Sequence, residues 1–167
     1  MAVKKVALVT GGARGIGLAC AKAIRETQGI EMPVMLADID GEGAQAAAAE
    51  LGSNCQGYRC DVAEPEQLST LFDAIEKDFG TVSILVNNAG IAMPTDFLDV
   101  ALDDFRRVID INLTGSFIAT QRAARKMVED KVAGSIVNMS SINAQVAIPS
   151  IVSYCASKGG VLSLIHI

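Results

Sequence analysis

The sequence predicts an α/β fold, a doubly wound parallel sheet with helices on both faces. Short apolar runs rich in valine, isoleucine and leucine alternate with longer amphipathic stretches along the chain. Two of these runs, beginning at Val6 and Val82, are almost wholly apolar, which is typical of central parallel strands buried on both faces. With 167 residues, 50% of them apolar, the chain has the content of one domain with a core.

The elements follow in order along the chain. The apolar runs predict strands over residues 6–9, 33–37, 55–60, 82–86 and 135–139. The amphipathic stretches predict helices over residues 15–27, 41–51, 64–79 and 102–130, and a fifth helix that begins near Ile151. The loops over residues 91–100 and 142–150 are long enough to shape a site. No repeat, low-complexity tract or linker divides the chain, so a single domain is expected.

Composition argues against several classes of function. The formal net charge is −5 and no run of lysine or arginine stands out, so neither nucleic acid nor an anionic membrane surface is an expected partner. The first residues lack the pattern of a secretory signal, and no apolar stretch approaches membrane-spanning length, so we expect a cytoplasmic protein. No CxxC spacing occurs, so we expect reduced thiols and no metal site at the four cysteines, Cys20, Cys55, Cys60 and Cys155.

A glycine-rich segment follows the first predicted strand. It reads Thr10-Gly11-Gly12-Ala13-Arg14-Gly15-Ile16-Gly17. Glycines at such a place let the backbone turn tightly and approach a pyrophosphate at the N-terminus of a helix. Taken alone, the cluster is equally compatible with an ordinary strand-to-helix turn, so its meaning depends on residues elsewhere in the chain.

Asp38 supplies that context at the end of the second predicted strand. It lies about 20 residues beyond the glycine segment, where an acidic residue is expected to accept hydrogen bonds from the ribose of an adenosine. The same carboxylate would repel the extra phosphate of NADP, since two like charges at ~4 Å and an effective dielectric constant of ~20 cost about 4 kcal/mol. NAD is therefore favoured over NADP. Arg14 could pair with that phosphate, or be a solvated loop residue, and Asp40 is expected to cap the next helix.

Six motifs occur in a fixed order along the chain. They are the glycine segment, Cys60-Asp61-Val62, Asn87-Asn88-Ala89-Gly90, Asn112, Ser140-Ser141 and Tyr154-Cys155-Ala156-Ser157-Lys158. In this order they resemble the short-chain dehydrogenase/reductase family, from the first strand to about Leu164. The resemblance implies an NAD-binding, Rossmann-like domain over residues 1–164 that lacks the last strands of the family fold, followed by an atypical tail over residues 165–167.

The resemblance also implies which residues bind the cofactor. Asp61 and Val62 would contact the adenine end, and the segment from Asn88 to Gly90 would close the floor beneath the adenosine. Gly90 follows a predicted central strand beside the switch point, where open α/β sheets leave a crevice for ligand. The full implied set is Gly11, Arg14, Gly15, Ile16, Gly17, Asp38, Asp61, Val62, Asn88, Ala89, Gly90, Tyr154 and Lys158.

Four residues are implied to be catalytic for hydride transfer between NAD(H) and a secondary alcohol or ketone. Tyr154 would be the acid/base. Lys158 lies one helical turn further on the same face, would bind the nicotinamide ribose, and supplies the nearby cation that a phenol, with a free pKa near ~10, needs to react near neutrality. Ser141, which the resemblance favours over Ser140 by its separation from the tyrosine, would hydrogen-bond the substrate oxygen. Asn112 would kink its helix around a water and hold that water in a proton relay, with a plain buried amide as the competing interpretation.

Alternatives stay open at this stage. One is a fragment that is inactive or only binds the cofactor, and another is an NADPH-dependent 3-oxoacyl-thioester reductase. A Ser/His/Asp hydrolase is excluded, because the single histidine, His166, follows every candidate serine and stands beside the terminus. The resemblance implies a small alcohol or ketone as substrate, and a homo-oligomer of the complete protein built on the fourth and fifth helices. Without the last strands, the exposed edge of the fifth strand predicts poor stability.

Overall fold

The computed structural model of the chain describes residues 3–164 and residue 166. Its strands are β1 (Lys5–Thr10), β2 (Val34–Asp38), β3 (Cys55–Arg59), β4 (Thr81–Asn87) and β5 (Ser135–Asn138). Within the described residues these strands form one parallel sheet in the order β3-β2-β1-β4-β5. β1 and β4, which contain the two almost wholly apolar runs, are neighbours inside the sheet and not at its edges. The predicted parallel α/β fold is therefore confirmed.

Helices connect the strands and follow the last one. They are α1 (Gly15–Gln28), α2 (Gly41–Leu51), α3 (Pro65–Asp78), α4 (Leu102–Ile109), α5 (Gly115–Glu129) and α6 (Val152–Leu164). The five strands and the first three helices begin and end within about one residue of their predicted bounds. α2 begins at a side-chain cap, because the N–H of Gly43 donates a 2.9 Å hydrogen bond to Oδ1 of Asp40, as predicted.

The helix predicted over residues 102–130 is not continuous. α4 and α5 are separated by a π-helical turn, Asp110–Thr114, in which the helical hydrogen bonds are wider. Asn112 in this turn is fully buried, and its side chain bonds to Ile91 and Ser157 on other elements. The interruption lies at Asn112, where a kink was expected, but these long-range bonds are invisible to an apolar periodicity, so the partners of Asn112 were not predicted.

The core lies on both sides of the sheet, because successive side chains of β1 point to opposite faces. Val6 and Leu8 belong to the apolar cluster that α3 and α5 cover. Ala7 and Val9 belong to the cluster on the other face, which α1 and α2 cover. All four side chains are fully buried. This two-sided burial explains why β1 reads as an unbroken apolar run.

β1 lies between β2 and β4, so the sheet is extended in opposite directions on its two sides. Such a switch point leaves a crevice at the carboxyl ends of the strands. β5 forms one edge of the sheet, where Val137 is 47% exposed. No helix among residues 3–164 is long and apolar enough to cross a membrane. Of the predicted tail, residues 165 and 167 lie outside the described residues, and His166 is exposed.

Candidate active site

A cavity of about 290 Å³ opens at the carboxyl ends of the strands, at the switch point. It gathers residues that the sequence analysis selected from four separate loops, namely Gly11, Arg14, Asp38, Asp61, Val62, Asn88, Ala89 and Gly90. It is completed by residues that the sequence analysis did not select, namely Ile39, Cys60, Ile91, Arg107 and Ile111. The other selected residues, Gly15, Ile16, Gly17, Asn112, Ser141, Tyr154 and Lys158, do not line this cavity.

The glycine segment forms a turn that only glycine fits at two positions. Gly11 has a φ of +63°, and a Cβ there would lie 2.8 Å from Nδ2 of Asn88. A Cβ on Gly17 would lie 2.1 Å from the carbonyl oxygen of Gly11. α1 starts directly after Arg14, whose side chain gives no capping hydrogen bond to the first turn of the helix. The turn thus brings backbone and the N–H groups of a helix start to the cavity wall.

Asn88 and Thr10 join the turns that follow β1 and β4. Nδ2 of Asn88 donates to the carbonyl oxygens of Thr10 and Gly11, at 3.1 and 3.0 Å. In return, Oγ1 of Thr10 accepts from the N–H groups of Asn88 and Ala89, at 3.1 and 3.2 Å. Sequence reasoning missed Thr10, although its place as the first residue of the glycine segment was a signal. These bonds fix two walls of the cavity relative to each other.

The acidic side chains of the cavity are anchored by backbone N–H groups. Oδ2 of Asp38 accepts from the N–H of Ala13 at 3.0 Å, and its Oδ1 accepts from the N–H of Asp40 at 3.1 Å. Oδ1 of Asp61 accepts from the N–H of Ala63 at 3.0 Å. Each oxygen of Asp38 keeps a second lone pair, so the carboxylate is held in place and can still accept hydrogen bonds.

Lys158 is 5% exposed and points from α6 toward the end of β4. Its Nζ donates a 2.6 Å hydrogen bond to the carbonyl oxygen of Met139 and lies 5.6 Å from the centroid of the Tyr154 ring. Burial lowers the pKa of Lys158 from its ordinary value. A Cβ built on Gly90 would lie 3.6 Å from this Nζ, so Lys158 reaches the cavity at Gly90. Tyr154 and Lys158 therefore lie next to each other on α6, and Lys158 approaches Gly90 of the cavity.

Asn112 connects the loop after β4 to α6. Its Oδ1 accepts from the N–H of Ile91 at 2.8 Å, and its Nδ2 donates to the carbonyl oxygen of Ile91 and to Oγ of Ser157, both at 2.9 Å. Ser157 in turn donates to the carbonyl oxygen of Tyr154 at 2.8 Å. A Cβ on Gly90 would also lie 3.2 Å from Oδ1 of Asn112. Sequence reasoning missed Ser157, even though it stands inside the Tyr-Cys-Ala-Ser-Lys motif.

The two serines after β5 make different bonds. Oγ of Ser140 donates to the carbonyl oxygen of Lys158 at 3.0 Å, which uses its proton on α6. Oγ of Ser141 accepts from the N–H of Asn143 at 3.1 Å and caps the short turn that comes next. Within the described part of the chain, Ser141 makes no bond as a donor. Its proton is thus available to a ligand, whereas that of Ser140 is not.

Hydrogen bonds connect the loops after β4 and β5. The N–H of Thr95 donates to the carbonyl oxygen of Ser150 at 2.7 Å, and Oγ of Ser150 donates to Oδ1 of Asp96 at 2.8 Å. Ser150 has a φ of +63°, which is uncommon for a residue with a side chain. Both loops thereby meet shortly before α6 begins.

The parallel sheet, the switch-point cavity and the glycine turn define a Rossmann-type α/β domain. A family model described as short chain dehydrogenase matches residues 5–167. The chain belongs to the short-chain dehydrogenase family.

Curated relatives cover almost the whole chain. It is 42% identical to a D-threitol dehydrogenase of Mycolicibacterium smegmatis over 96% of this chain and 61% of that protein. It is 39% identical to a 3-beta-hydroxysteroid dehydrogenase of Comamonas testosteroni, with the same coverage of 96% and 61%. It is 36% identical to a 3-oxoacyl-(acyl-carrier-protein) reductase of a Synechocystis strain, over 95% of this chain and 64% of that protein. The chain thus spans less than two thirds of the length of these relatives.

Proposed function

We propose that the chain is the cofactor-binding and catalytic part of an NAD-dependent oxidoreductase that transfers hydride between NAD(H) and a secondary alcohol or ketone. One observation carries the proposal. The ammonium of Lys158 and the amide of Asn112 meet at Gly90, which lines the cavity, and the ring of Tyr154 lies next to Lys158. The family membership and the names of the relatives support the same activity.

The cavity fits a dinucleotide at its adenosine end. Gly11 lines the cavity without a side chain, and the tight turn that Gly11 and Gly17 allow leads directly into α1, whose N-terminus a pyrophosphate can meet. The anchored carboxylate of Asp38 can accept hydrogen bonds from both ribose hydroxyls and repels a phosphate in their place, which supports NAD over NADP. Arg14, Asp61 and the other selected lining residues complete this binding surface.

The catalytic side chains have different roles in the proton transfer. When bound, the nicotinamide takes or gives the hydride at the carbinol or carbonyl carbon. Tyr154 takes the proton from the alcohol hydroxyl as the C–H bond breaks and the C=O bond forms, or returns it in the reverse direction. Lys158, held by Met139, favours the phenolate and binds the nicotinamide ribose, and Ser141 donates its proton in a hydrogen bond to the substrate oxygen.

Asn112 has two roles in this proposal. Its amide hydrogens are committed to Ile91 and Ser157, so the side chain holds the loop after β4 against α6. Oδ1 accepts one hydrogen bond and keeps a second lone pair, which can hold the water that continues the proton path from Lys158. The buried amide and the relay are therefore compatible.

A cofactor-binding part without turnover of its own is the first alternative, and an NADPH-dependent reductase of 3-oxoacyl thioesters is the second. The reductase among the relatives supports the second. We also propose a cytoplasmic homo-oligomer with a small-molecule substrate. Phe117 and Val128, both exposed and apolar on α5, support an oligomer built on this helix and α6.

Calorimetric titration with NADH and with NADPH, followed by assays on threitol, a hydroxysteroid and a 3-oxoacyl thioester, tests the proposal. We expect tighter binding of NADH and turnover of a secondary alcohol. Binding without turnover on any substrate supports the first alternative, and a strong preference for NADPH supports the second. A protein that binds neither cofactor overturns the proposal.

A further inference from the structure

We infer that Arg107 is a further cofactor-binding residue, whose guanidinium stacks on the adenine in the cavity. Arg107 lies on α4 and lines the cavity together with Ile111, one helical turn further along. The inference rests on the proposed function, because it identifies how the same site holds the base of its dinucleotide.

The position of Arg107 depends on how the helical segment that contains α4 and α5 packs against the residues after β3. α5 packs closely against that wall at Gly115, where a Cβ would lie 2.5 Å from the carbonyl oxygen of Val62. From this contact the helical segment runs back through Ile111 to Arg107, and both of these side chains border the cavity. Cys60, Asp61 and Val62 line the same cavity. Arg107 and Ile111 thus line the same cavity as the residues after β3.

The neighbouring arginine has different surroundings. Arg106 lies outside the cavity lining and forms an ion pair with Asp103, with Nη1 3.4 Å from Oδ1. For Arg107, no ion pair is found within residues 3–164. One of two adjacent arginines is thus paired at the surface, while the other borders the cavity with its guanidinium uncommitted.

The surroundings of Arg107 favour a base over a phosphate. Val62 and Ile111 add apolar surface to the lining of the cavity, which suits a flat ring, and Asp61 adds a negative charge to the same lining. The glycine turn and the start of α1, which suit the pyrophosphate, lie after β1 and hence at a different wall. A guanidinium is planar and weakly hydrated, and it stacks on aromatic faces. We therefore assign Arg107 to the adenine.

The experiment compares Arg107→Ala and Arg107→Lys with Arg106→Ala as the matched control on the same helix. Calorimetric titrations use NADH, AMP and nicotinamide mononucleotide as probes. We expect Arg107→Ala to weaken the binding of NADH and AMP about tenfold and to leave that of nicotinamide mononucleotide unchanged. Arg107→Lys should restore only part of the AMP affinity, since lysine keeps the positive charge but lacks the planar guanidinium that can stack on the base. Arg106→Ala should bind all three probes like the wild type.

Three results would overturn the inference. In the first, Arg107→Ala binds AMP as tightly as the wild type does. In the second, Arg107→Ala loses affinity for AMP and for nicotinamide mononucleotide by the same factor. In the third, Arg107→Lys recovers the full AMP affinity, which would show that the residue pairs with a phosphate. Failure of the wild type itself to bind NADH would instead refute the proposed function. The two failures are therefore distinguished by the wild-type titration.

Discussion

Nδ2 of Asn112 donates a 2.9 Å hydrogen bond to Oγ of Ser157, so the π-helical turn before α5 is joined directly to α6. Both side chains are fully buried. Ser157 in turn donates a hydrogen bond to the carbonyl oxygen of Tyr154. The position of the proposed acid/base thus depends on a buried polar chain that begins on another helix.

Replacing Ser157 by alanine should break this chain. Ser157→Ala leaves one amide hydrogen of Asn112 buried without a partner, which costs about 1–3 kcal/mol in the free energy of unfolding. Because Tyr154 is no longer tied to Asn112, kcat should fall more than NADH affinity. Urea denaturation and steady-state kinetics measure both effects. Ser163→Ala, on an exposed position of the same helix, is the control and should stay within about 0.5 kcal/mol of the wild type. Equal stability of the two variants would refute the role of Ser157.

Tyr154→Phe tests the proton transfer. The variant keeps the aromatic ring beside Lys158 and loses only the hydroxyl, which makes no hydrogen bond to another described residue. Folding and NADH binding should therefore be preserved, while turnover falls by about a hundredfold or more. Calorimetry with NADH and a dehydrogenase assay on the same preparation measure the two quantities. Turnover within a few-fold of the wild type would show that another group moves the proton.

Lys158→Met tests the cost of burying a cation. Burial lowers the pKa of Lys158, so the unfolded chain binds more protons than the folded one between that lowered pKa and the ordinary value of 10.5. The stability of the wild type should therefore rise with pH in this window, and the variant should lack this contribution. The free energy of unfolding of Lys158→Met minus that of the wild type should be largest near neutrality and should shrink toward pH 10.5. A difference that does not change with pH would contradict the assignment.

Most of the fold could be predicted because it depends on local patterns. The apolar run beginning at Val6 is unbroken because β1 is covered on both faces, and α2 begins where Asp40 predicts a cap. A kink at Asn112 was expected within the helix predicted over residues 102–130, but its form, a π-helical turn, could not be predicted in the same way. It depends on Asn112 bonding to Ile91, and the bond joins residues that are far apart in sequence.

Residues that line one cavity could be predicted from the sequence, but their geometry could not. Asp38 and Gly90 line one cavity, as the alternation of strands and loops suggested. The bonds of Thr10 to the turn after β4 and the place of Arg107 on the cavity wall were not foreseen. Both depend on which helix or turn packs opposite, and a single sequence does not encode that in any local spacing.

Gly17→Ala should distort the glycine turn. A Cβ at this position would lie 2.1 Å from the carbonyl oxygen of Gly11, and backbone cannot move as a side chain does. We expect a loss of stability of several kcal/mol or failure to fold, on the order of the largest core substitutions. Gly159→Ala is the control, since its nearest neighbour would be 3.9 Å away and alanine is favoured in a helix. Thermal unfolding compares them, and a Gly17→Ala variant as stable as Gly159→Ala would show that the turn is not this tight.

Asp38→Asn should change the choice of cofactor. Removing the negative charge removes the repulsion of a ribose phosphate, so the affinity for NADPH relative to NADH should rise by at least about tenfold. Asparagine has only one acceptor atom, so the N–H of Ala13 or of Asp40 also loses its partner and the loop becomes less stable.

That loss of loop stability affects both cofactors alike, and it therefore cancels in the ratio of their dissociation constants. Asp40→Asn is the matched control, because its side-chain oxygen can still cap α2 through Gly43 and it does not line the cavity. The ratio of its dissociation constants for NADPH and NADH should equal that of the wild type. If Asp38→Asn and Asp40→Asn give the same ratio, the charge of Asp38 does not select the cofactor, and Arg14 becomes the residue that decides between NAD and NADP.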